Sequence, residues 1–266
     1  MTWLTVTRGD APLLVSMPHT GTTLPDGIEN DLVSRELALH DTDWWIDRLY
    51  DFAAGLGATI VHTAISRTVI DVNRDPSGAS LYPGQATTGL CPVTTFDGRP
   101  LYRPGREPDA GEIERRKQTY FTPYHDALAQ EVSRLRKAHP AIVVYDCHSI
   151  RSFVPRLFDG ELPILNIGTN GGLSAAPEIE RLVVEACAGS SVSHVLNGRF
   201  KGGWITRSLG NPAAGVHAVQ MEIACRGYID ETEEGAPVYD PAVATPMRLF
   251  LTDLLTSLRD RAAAMA

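Results

Sequence analysis

Two histidines stand where a strand would give way to a loop: His19 in Ser16-Met17-Pro18-His19-Thr20-Gly21, and His148 in Tyr145-Asp146-Cys147-His148-Ser149. Each closes an apolar run suited to a buried strand, so both imidazoles would be rigidly placed at carboxyl ends. Imidazole nitrogen suits zinc at about 2.0–2.1 Å, and a catalytic zinc keeps one position open for water. A carboxylate is the expected third ligand, and in His40-Asp41-Thr42-Asp43-Trp44-Trp45 the choice is Asp43. Asp43 also reads as a plain N-cap of the helix predicted after it, and each histidine alone reads as a hydrogen-bonded structural residue. No HExxH or HxxE motif is present, and Thr22 stands where an HxxE carboxylate would follow His19. The weight therefore rests on three such groups at equivalent strand ends. Sites of this composition also accept divalent ions other than zinc.

In Val216-His217-Ala218-Val219-Gln220-Met221-Glu222-Ile223-Ala224, alternation puts Gln220 and Glu222 on one strand face and Val219, Met221 and Ile223 on the other. A glutamate in such a strand is costly to bury without a partner or a task. Beside an activated water it would serve as general base and then acid; an ion pair with Arg226 or another arginine is the competing reading. Arg67 and Arg74 flank an apolar run that exits at Asn73-Arg74, and a guanidinium fork can hold a carboxylate by two parallel hydrogen bonds. Surface ion pairs are the alternative for both. The segment Asn197-Gly198-Arg199-Phe200-Lys201-Gly202-Gly203-Trp204-Ile205-Thr206-Arg207 mixes cations with glycines that let backbone approach a ligand closely, or else is a flexible solvated connection.

The elements that must position these groups are short apolar strands predicted at 13–17, 58–62, 67–72, 141–146, 164–167, 192–196 and 216–223. Helical periodicity fills residues 43–56 and 109–139, the latter opened by Asp109 with Glu112 as a capping box and divided by Pro123, and a C-terminal helix runs through Val243 to Leu258. Strands alternating with helices predict an α/β domain whose largely parallel or mixed sheet is covered on both faces. Ligands in such sheets sit beyond the carboxyl ends of the strands. Residues 75–108 are too long for a simple connection, and Tyr82, Phe96 and Tyr102 suit a lid packed over the site.

With 266 residues, 43% hydrophobic, the chain has core enough for one domain over residues 1–266, with no linker or repeat to divide it. A formal charge of −8 argues against a nucleic-acid partner while allowing a small anionic ligand held by converging arginines. Cys91, Cys147, Cys187 and Cys225 form no CxxC pair and read as reduced, buried thiols. No signal segment and no run of 18 apolar residues is found, so no membrane partner is expected and the cytoplasm is the expected location. Oligomeric state is not legible.

Taken in order, Ser16-Met17-Pro18-His19, Asp41-Thr42-Asp43-Trp44, Ser66-Arg67 with Asp71-Val72-Asn73-Arg74, Thr87-Thr88-Gly89-Leu90, His148-Ser149-Ile150-Arg151-Ser152 with Val154-Pro155-Arg156-Leu157-Phe158, His194 through Gly203, and His217-Ala218-Val219-Gln220 resemble the N-formylglutamate deformylase (N-formylglutamate amidohydrolase) family over nearly the whole chain. The HSIRS and NGRFKGG blocks are the specific ones. The resemblance implies a three-layer α/β/α, phosphorylase/hydrolase-like fold related to zinc carboxypeptidases, and hydrolysis of N-formyl-L-glutamate to formate and glutamate in histidine degradation. It puts Zn2+ on His19, Asp43 and His148, with Glu222 as acid/base; by charge, Arg67 or the metal itself is the candidate to stabilise the oxyanion. Asn73 and Arg74 match the pair that grips substrate carboxylate in those peptidases; Arg151, Arg199, Lys201 and Arg207 complete the substrate-binding candidates. Those peptidases take a nearby glutamate as second ligand, whereas here it would be a distant aspartate, for which Asp41 competes with Asp43. The same hardware fits a related N-acyl or N-formimidoyl amino acid, and a metal-free binding protein for an acidic amino acid would need only the arginines.

Overall fold

The computed structural model describes residues 3–231 and 236–265. Its strands are β1 (Leu4–Thr7), β2 (Leu13–Met17), β3 (Thr59–Thr63), β4 (Ile142–Ile150), β5 (Leu165–Gly168), β6 (His194–Leu196) and β7 (Val216–Ala224), and they form one seven-stranded sheet in the order β1-β3-β2-β4-β7-β5-β6. Strands β3, β2, β4 and β7 run parallel, β5 parallel to β6, while β1 pairs with β3 and β5 with β7 antiparallel. The sheet is therefore mixed and largely parallel. Its two central strands, β4 and β7, are buried along their whole length, as strands covered on both faces must be.

The helices are α1 (Asp26–Glu29), α2 (Arg35–Ala38), α3 (Ile46–Leu49), α4 (Ala110–Arg116), α5 (Thr122–Ala138), α6 (Pro177–Gly189), α7 (Trp204–Leu209) and α8 (Pro241–Ala264). Period-two alternation sends Val143, Tyr145, Cys147, Val219, Met221 and Ile223 to one sheet face, packed on Ile46 and Leu49 of α3, Ile179 and Val183 of α6, and Leu251, Leu254 and Leu258 of α8. Leu14, Ile142, Val144 and Ala218 point the other way, against Tyr124, Leu128 and Leu135 of α5 and Ile205 of α7. This is the three-layer α/β/α arrangement expected. On the second face the apolar sequence gives way, toward the carboxyl ends, to Asp146 and His148 on β4 and to Gln220 and Glu222 on β7. Those four polar residues are the ones the core does not need.

Asp109 caps α4 by accepting from the Glu112 amide (2.8 Å), and a π turn over Lys117–Phe121 separates α4 from α5, with Pro123 at the start of the latter. Two expectations fail, and one strand was not foreseen. The run 67–72 is no strand. Its carbonyls and side chains are claimed elsewhere: Arg116 donates to Val69 O, His125 to Val72 O, and Asp71 Oδ1 accepts the Asn73 amide in an Asx turn. Local side-chain bonds of this kind compete directly with a ladder. The helix over 43–56 breaks into α3 and a 3-10 segment, Asp51–Leu56, because residues 41–45 turn the Asp43 carboxylate toward the sheet and Trp45 takes φ 62°, held by its indole donating to Pro237 O. Strand β1 was missed; its half-exposed alternation gives little signal. Among the described residues no helix is long and apolar enough to cross a membrane.

Candidate metal and catalytic centre

Toward the carboxyl ends of β2, β4 and β7, His19, Asp43 and His148 meet, with one ligand atom from each within 4.8 Å of the others, all three buried. His19 lies two residues past β2. His148 lies inside β4, because pairing with β7 continues from Ile142↔Val216 to Ile150↔Ala224 and brings His148 opposite Glu222. Asp43 does not cap a helix: its Oδ1 accepts from Arg67 (3.1 Å), and its Oδ2 accepts from the Ser149 amide (3.1 Å) while lying 3.0 Å from His148 Nδ1 and 3.6 Å from His19 Nδ1. Asp41 faces away, accepting from the Phe96 amide and from Arg151.

Each imidazole is gripped from behind. His19 Nε2 lies 2.7 Å from Asp71 Oδ1, and His148 Nε2 lies 3.0 Å from Asp146 Oδ2. A carboxylate on Nε2 keeps the proton there and leaves the Nδ1 lone pair for a cation. That is what a ligand set requires, and His19 Nδ1 is a buried nitrogen with no hydrogen-bond partner. Sequence reasoning missed Asp71 and Asp146. The available signal was an acid two residues before His148, on the same face of a strand otherwise apolar.

The charges fit a divalent ion. Four buried carboxylates, Asp43, Asp71, Asp146 and Glu222, meet two guanidiniums, Arg67 bridging Asp43 and Asp71 and Arg74 at 3.5 Å from Asp71. Two negative charges remain to be offset by protons or a cation. Burial opposes charge on His148, but the Asp146 and Asp43 carboxylates outweigh it and hold its pKa well above the usual histidine value. Burial also opposes ionisation of Asp71, yet Arg74, His19 and Arg67 hold it well below the usual carboxylate range. Glu222 is different. Burial pushes it up to about 7, near the pH at which a general base works best. Its carboxylate has one side-chain partner among the described residues, Gln220 Nε2 at 3.3 Å. Arg226 turns instead to Leu162 O and Glu161.

A cleft of about 550 Å³ opens over this centre, lined by His19, Arg67, Asn73, Arg74, His148, Arg199 and Glu222 together with residues of the 75–108 segment, Tyr82, Thr87, Thr88 and Phe96 among them. Its cations are not equivalent. Arg67 is committed to Asp43 and Asp71 and lies 4.8 Å over the Phe96 ring. Arg74 donates to Thr88 O, Thr88 Oγ1 and Asn73 O. Arg199 donates only to two carbonyls, Leu157 O and Ala86 O, and has no carboxylate within ion-pair distance among the described residues. Burial pulls its pKa down, as for a desolvated cation. It is the guanidinium of the cleft with charge to spare.

Asn73 has both ends of its amide occupied: Oδ1 accepts the Ile205 amide (2.8 Å), so Nδ2 faces Asp146 Oδ2 at 3.0 Å and His148 Nε2 at 2.8 Å. The carboxylate is the acceptor there, since a ring nitrogen whose proton points to Asp146 has no lone pair to offer. Three candidates stand outside the cleft. Arg151 pairs with Asp41 and Asp97 beside a neighbouring cavity; Lys201 is exposed; Arg207 donates to Gly202 O and lies 5.0 Å over the Tyr82 ring.

The carboxylates behind the histidines give a first expected result. Asp146→Asn should weaken binding of a divalent cation at this centre, with zinc as the probe, about 10- to 100-fold, measured by competition with a chromogenic chelator, while the fold is retained; an unchanged affinity would show that the carboxylate does not set the ring.

The family model described as N-formylglutamate amidohydrolase matches residues 11–229. The chain is 49% identical over 256 residues to the N-formylglutamate deformylase of Pseudomonas aeruginosa, covering 96% of this chain and 95% of that one. It is 46% identical over 252 residues to the enzyme of the same name from Pseudomonas putida, covering 94% and 93%. The crystal structure of N-formylglutamate amidohydrolase from Ralstonia eutropha JMP134 superposes with a TM-score of 0.82 at 24% identity, covering 98% of each chain, which shows the shared fold.

Proposed function

We propose that this chain, which belongs to the N-formylglutamate amidohydrolase family, hydrolyses the formyl amide of N-formyl-L-glutamate to formate and L-glutamate with the help of a divalent cation, zinc first among the candidates. The observation that carries the reading is the meeting of His19 Nδ1, Asp43 Oδ2 and His148 Nδ1 beside Glu222, in a cleft that also holds an uncompensated arginine. A cation held by those three atoms would supply Lewis acidity to the acyl carbonyl and make a water a better nucleophile near neutral pH.

The chain's own residues do the rest. Glu222, in its ionised form, takes the proton of the attacking water and returns one to the departing amine, so that glutamate leaves as a neutral amine rather than an anion. Arg67 holds Asp43 and Asp71 in place and keeps a positive charge beside the reacting carbonyl, where negative charge develops. A dianionic amino-acid derivative suits Arg199, whose fork can accept a carboxylate without surrendering an existing ion pair. Arg74 and Thr88 line the same cleft. The segment 75–108 supplies walls that exclude water from the reaction, and histidine breakdown is the pathway in which such a substrate belongs.

The direct test is formate release from N-formyl-L-glutamate, with and without chelator, against N-formyl-L-aspartate and N-formimidoyl-L-glutamate at equal concentration. Chelator-sensitive release, fastest with the first compound, is expected; preference for the amidine would move the assignment to a formimidoyl substrate. Arg199→Met should raise KM for N-formyl-L-glutamate about 10- to 100-fold, the loss of a charge-assisted contact, and raise it far less for an N-formyl amino acid without the side-chain carboxylate if that is the group it holds. Equal losses for both compounds would assign Arg199 to the α-carboxylate.

A further inference from the structure

We propose that Gln220 is a positioning residue for the reaction, an amide relay that orients the Glu222 carboxylate from the backbone of the glycine-rich loop; this rests on the deformylation reading above. Gln220 and Glu222 are two residues apart on one face of β7, and both are buried, at 3% and 7% exposure. The Gly203 amide lies 2.8 Å from one end of the Gln220 side chain. A backbone N–H can only donate, so that end is Oε1, and the NH2 end is thereby turned toward Glu222 Oε2 at 3.3 Å. The orientation of the amide is thus decided by the backbone of residue 203, which lines the same cleft. It gives the base a donor on one oxygen and leaves the other oxygen free to take a proton.

The same logic repeats next door. The Ile205 amide fixes Asn73 Oδ1, which turns Asn73 Nδ2 to Asp146, the carboxylate behind His148. The N–H of Gly203, which caps α7, and that of Ile205 in its first turn are therefore gripped by two side-chain amides whose far ends hold the base and the carboxylate that supports a histidine. Glycine at 203 is what permits this approach: a Cβ there would stand 2.4–2.5 Å from the Asn73 amide atoms. The loop leading into α7 also carries Arg199, and Tyr82 from the 75–108 segment donates to Gly202 O. Backbone that presents the uncompensated arginine is thus joined to the base by two consecutive hydrogen bonds. Loss of the relay should lower turnover more than substrate affinity, because the base is used in the transition state and not in holding the ground state.

The experiment replaces Gln220 with methionine, which keeps the length and removes both bonds. For N-formyl-L-glutamate, Gln220→Met is expected to lower kcat about 10- to 100-fold with KM within about twofold and bound metal per chain unchanged. In a Glu222→Gln background the same change should alter the residual rate less than about twofold, since a relay has nothing left to act on. Equal losses in both backgrounds would mark a merely structural role and overturn the proposal. Should Gln220→Met fail to fold, Gln220→Leu likewise removes both the acceptor for Gly203 and the donor facing Glu222 without adding charge, and is read in the same way. A crystal structure of either variant decides independently of turnover: a displaced Glu222 carboxylate supports the relay, and an unmoved one overturns it. Absence of formate release by the parent protein would sink the deformylase reading and leave this structural arm intact.

Discussion

Glu222→Gln is expected to lower kcat for N-formyl-L-glutamate at neutral pH by about 10³- to 10⁴-fold while one cation per chain is still bound. The upper range is the right one, because a single carboxylate serves as base in attack and as acid in departure. The amide keeps the volume and the bond from Gln220 but can accept no proton. Near-normal turnover in the variant would remove Glu222 from the reaction, and loss of metal along with activity would move it into the ligand set. The pH dependence carries a sign. Burial raises Glu222 to about 7, and the ionised form is the working one, so kcat should rise with pH through that region and flatten above it. A bound cation pulls the limb toward lower pH. For the metal-free protein the linkage runs the other way: a carboxyl raised in the folded state favours folding while protonated, an advantage complete below its unfolded value and lost as pH rises through about 7. Between about pH 5 and 8 metal-free Glu222→Gln should therefore gain on the parent by on the order of 2 kcal/mol in denaturant unfolding. A gap that does not change with pH would mean that Glu222 is not held in a desolvated place.

Much of this centre is legible in the sequence because it lies on strands. Alternation along β7 places Gln220 and Glu222 on one face, and apolar runs ending near His19 and His148 locate two sheet positions that parallel pairing brings side by side. What the sequence conceals is set by tertiary partners. Asp43 looks like an N-cap because the local pattern is that of a helix start; only the convergence of Arg67, Ser149 and the two histidines shows its oxygens committed elsewhere. The run 67–72 reads as a strand since its residues are apolar and β-branched, yet Arg67, Asp71 and Asn73 within and beside it must each be satisfied, and a turn satisfies them where a ladder would not. Arginine counting fails for a related reason. Arg151, Arg199 and Arg207 are alike as letters, and their neighbours alone separate an ion-paired brace from a cation with charge to spare.

The second large effect belongs to the ligands. His148→Ala should abolish stoichiometric metal binding and, with it, at least about 10³-fold of the activity, because two remaining donors do not make a zinc site. The substitution leaves Asp43 and Asp146 facing one another across the vacated ring without the imidazole that separates them, so the variant is expected to lose stability at neutral pH and regain part of it on mild acidification. Competition between proton and cation follows from the same geometry in the parent. Without metal, His148 retains its proton well above the ordinary histidine value, since Asp146 and Asp43 outweigh the penalty of burial. A cation must displace that proton. Metal uptake should release between about one and two protons per site near neutral pH, one from His148 and part of one from Glu222, and the apparent affinity should climb by about tenfold or more per pH unit until the free imidazole dominates. Calorimetry in two buffers of different ionisation enthalpy measures the release directly. Binding with no proton release, or an affinity indifferent to pH, would mean that the cation is held by oxygen ligands elsewhere in the cleft, and the roles given to His19 and His148 would fall with it.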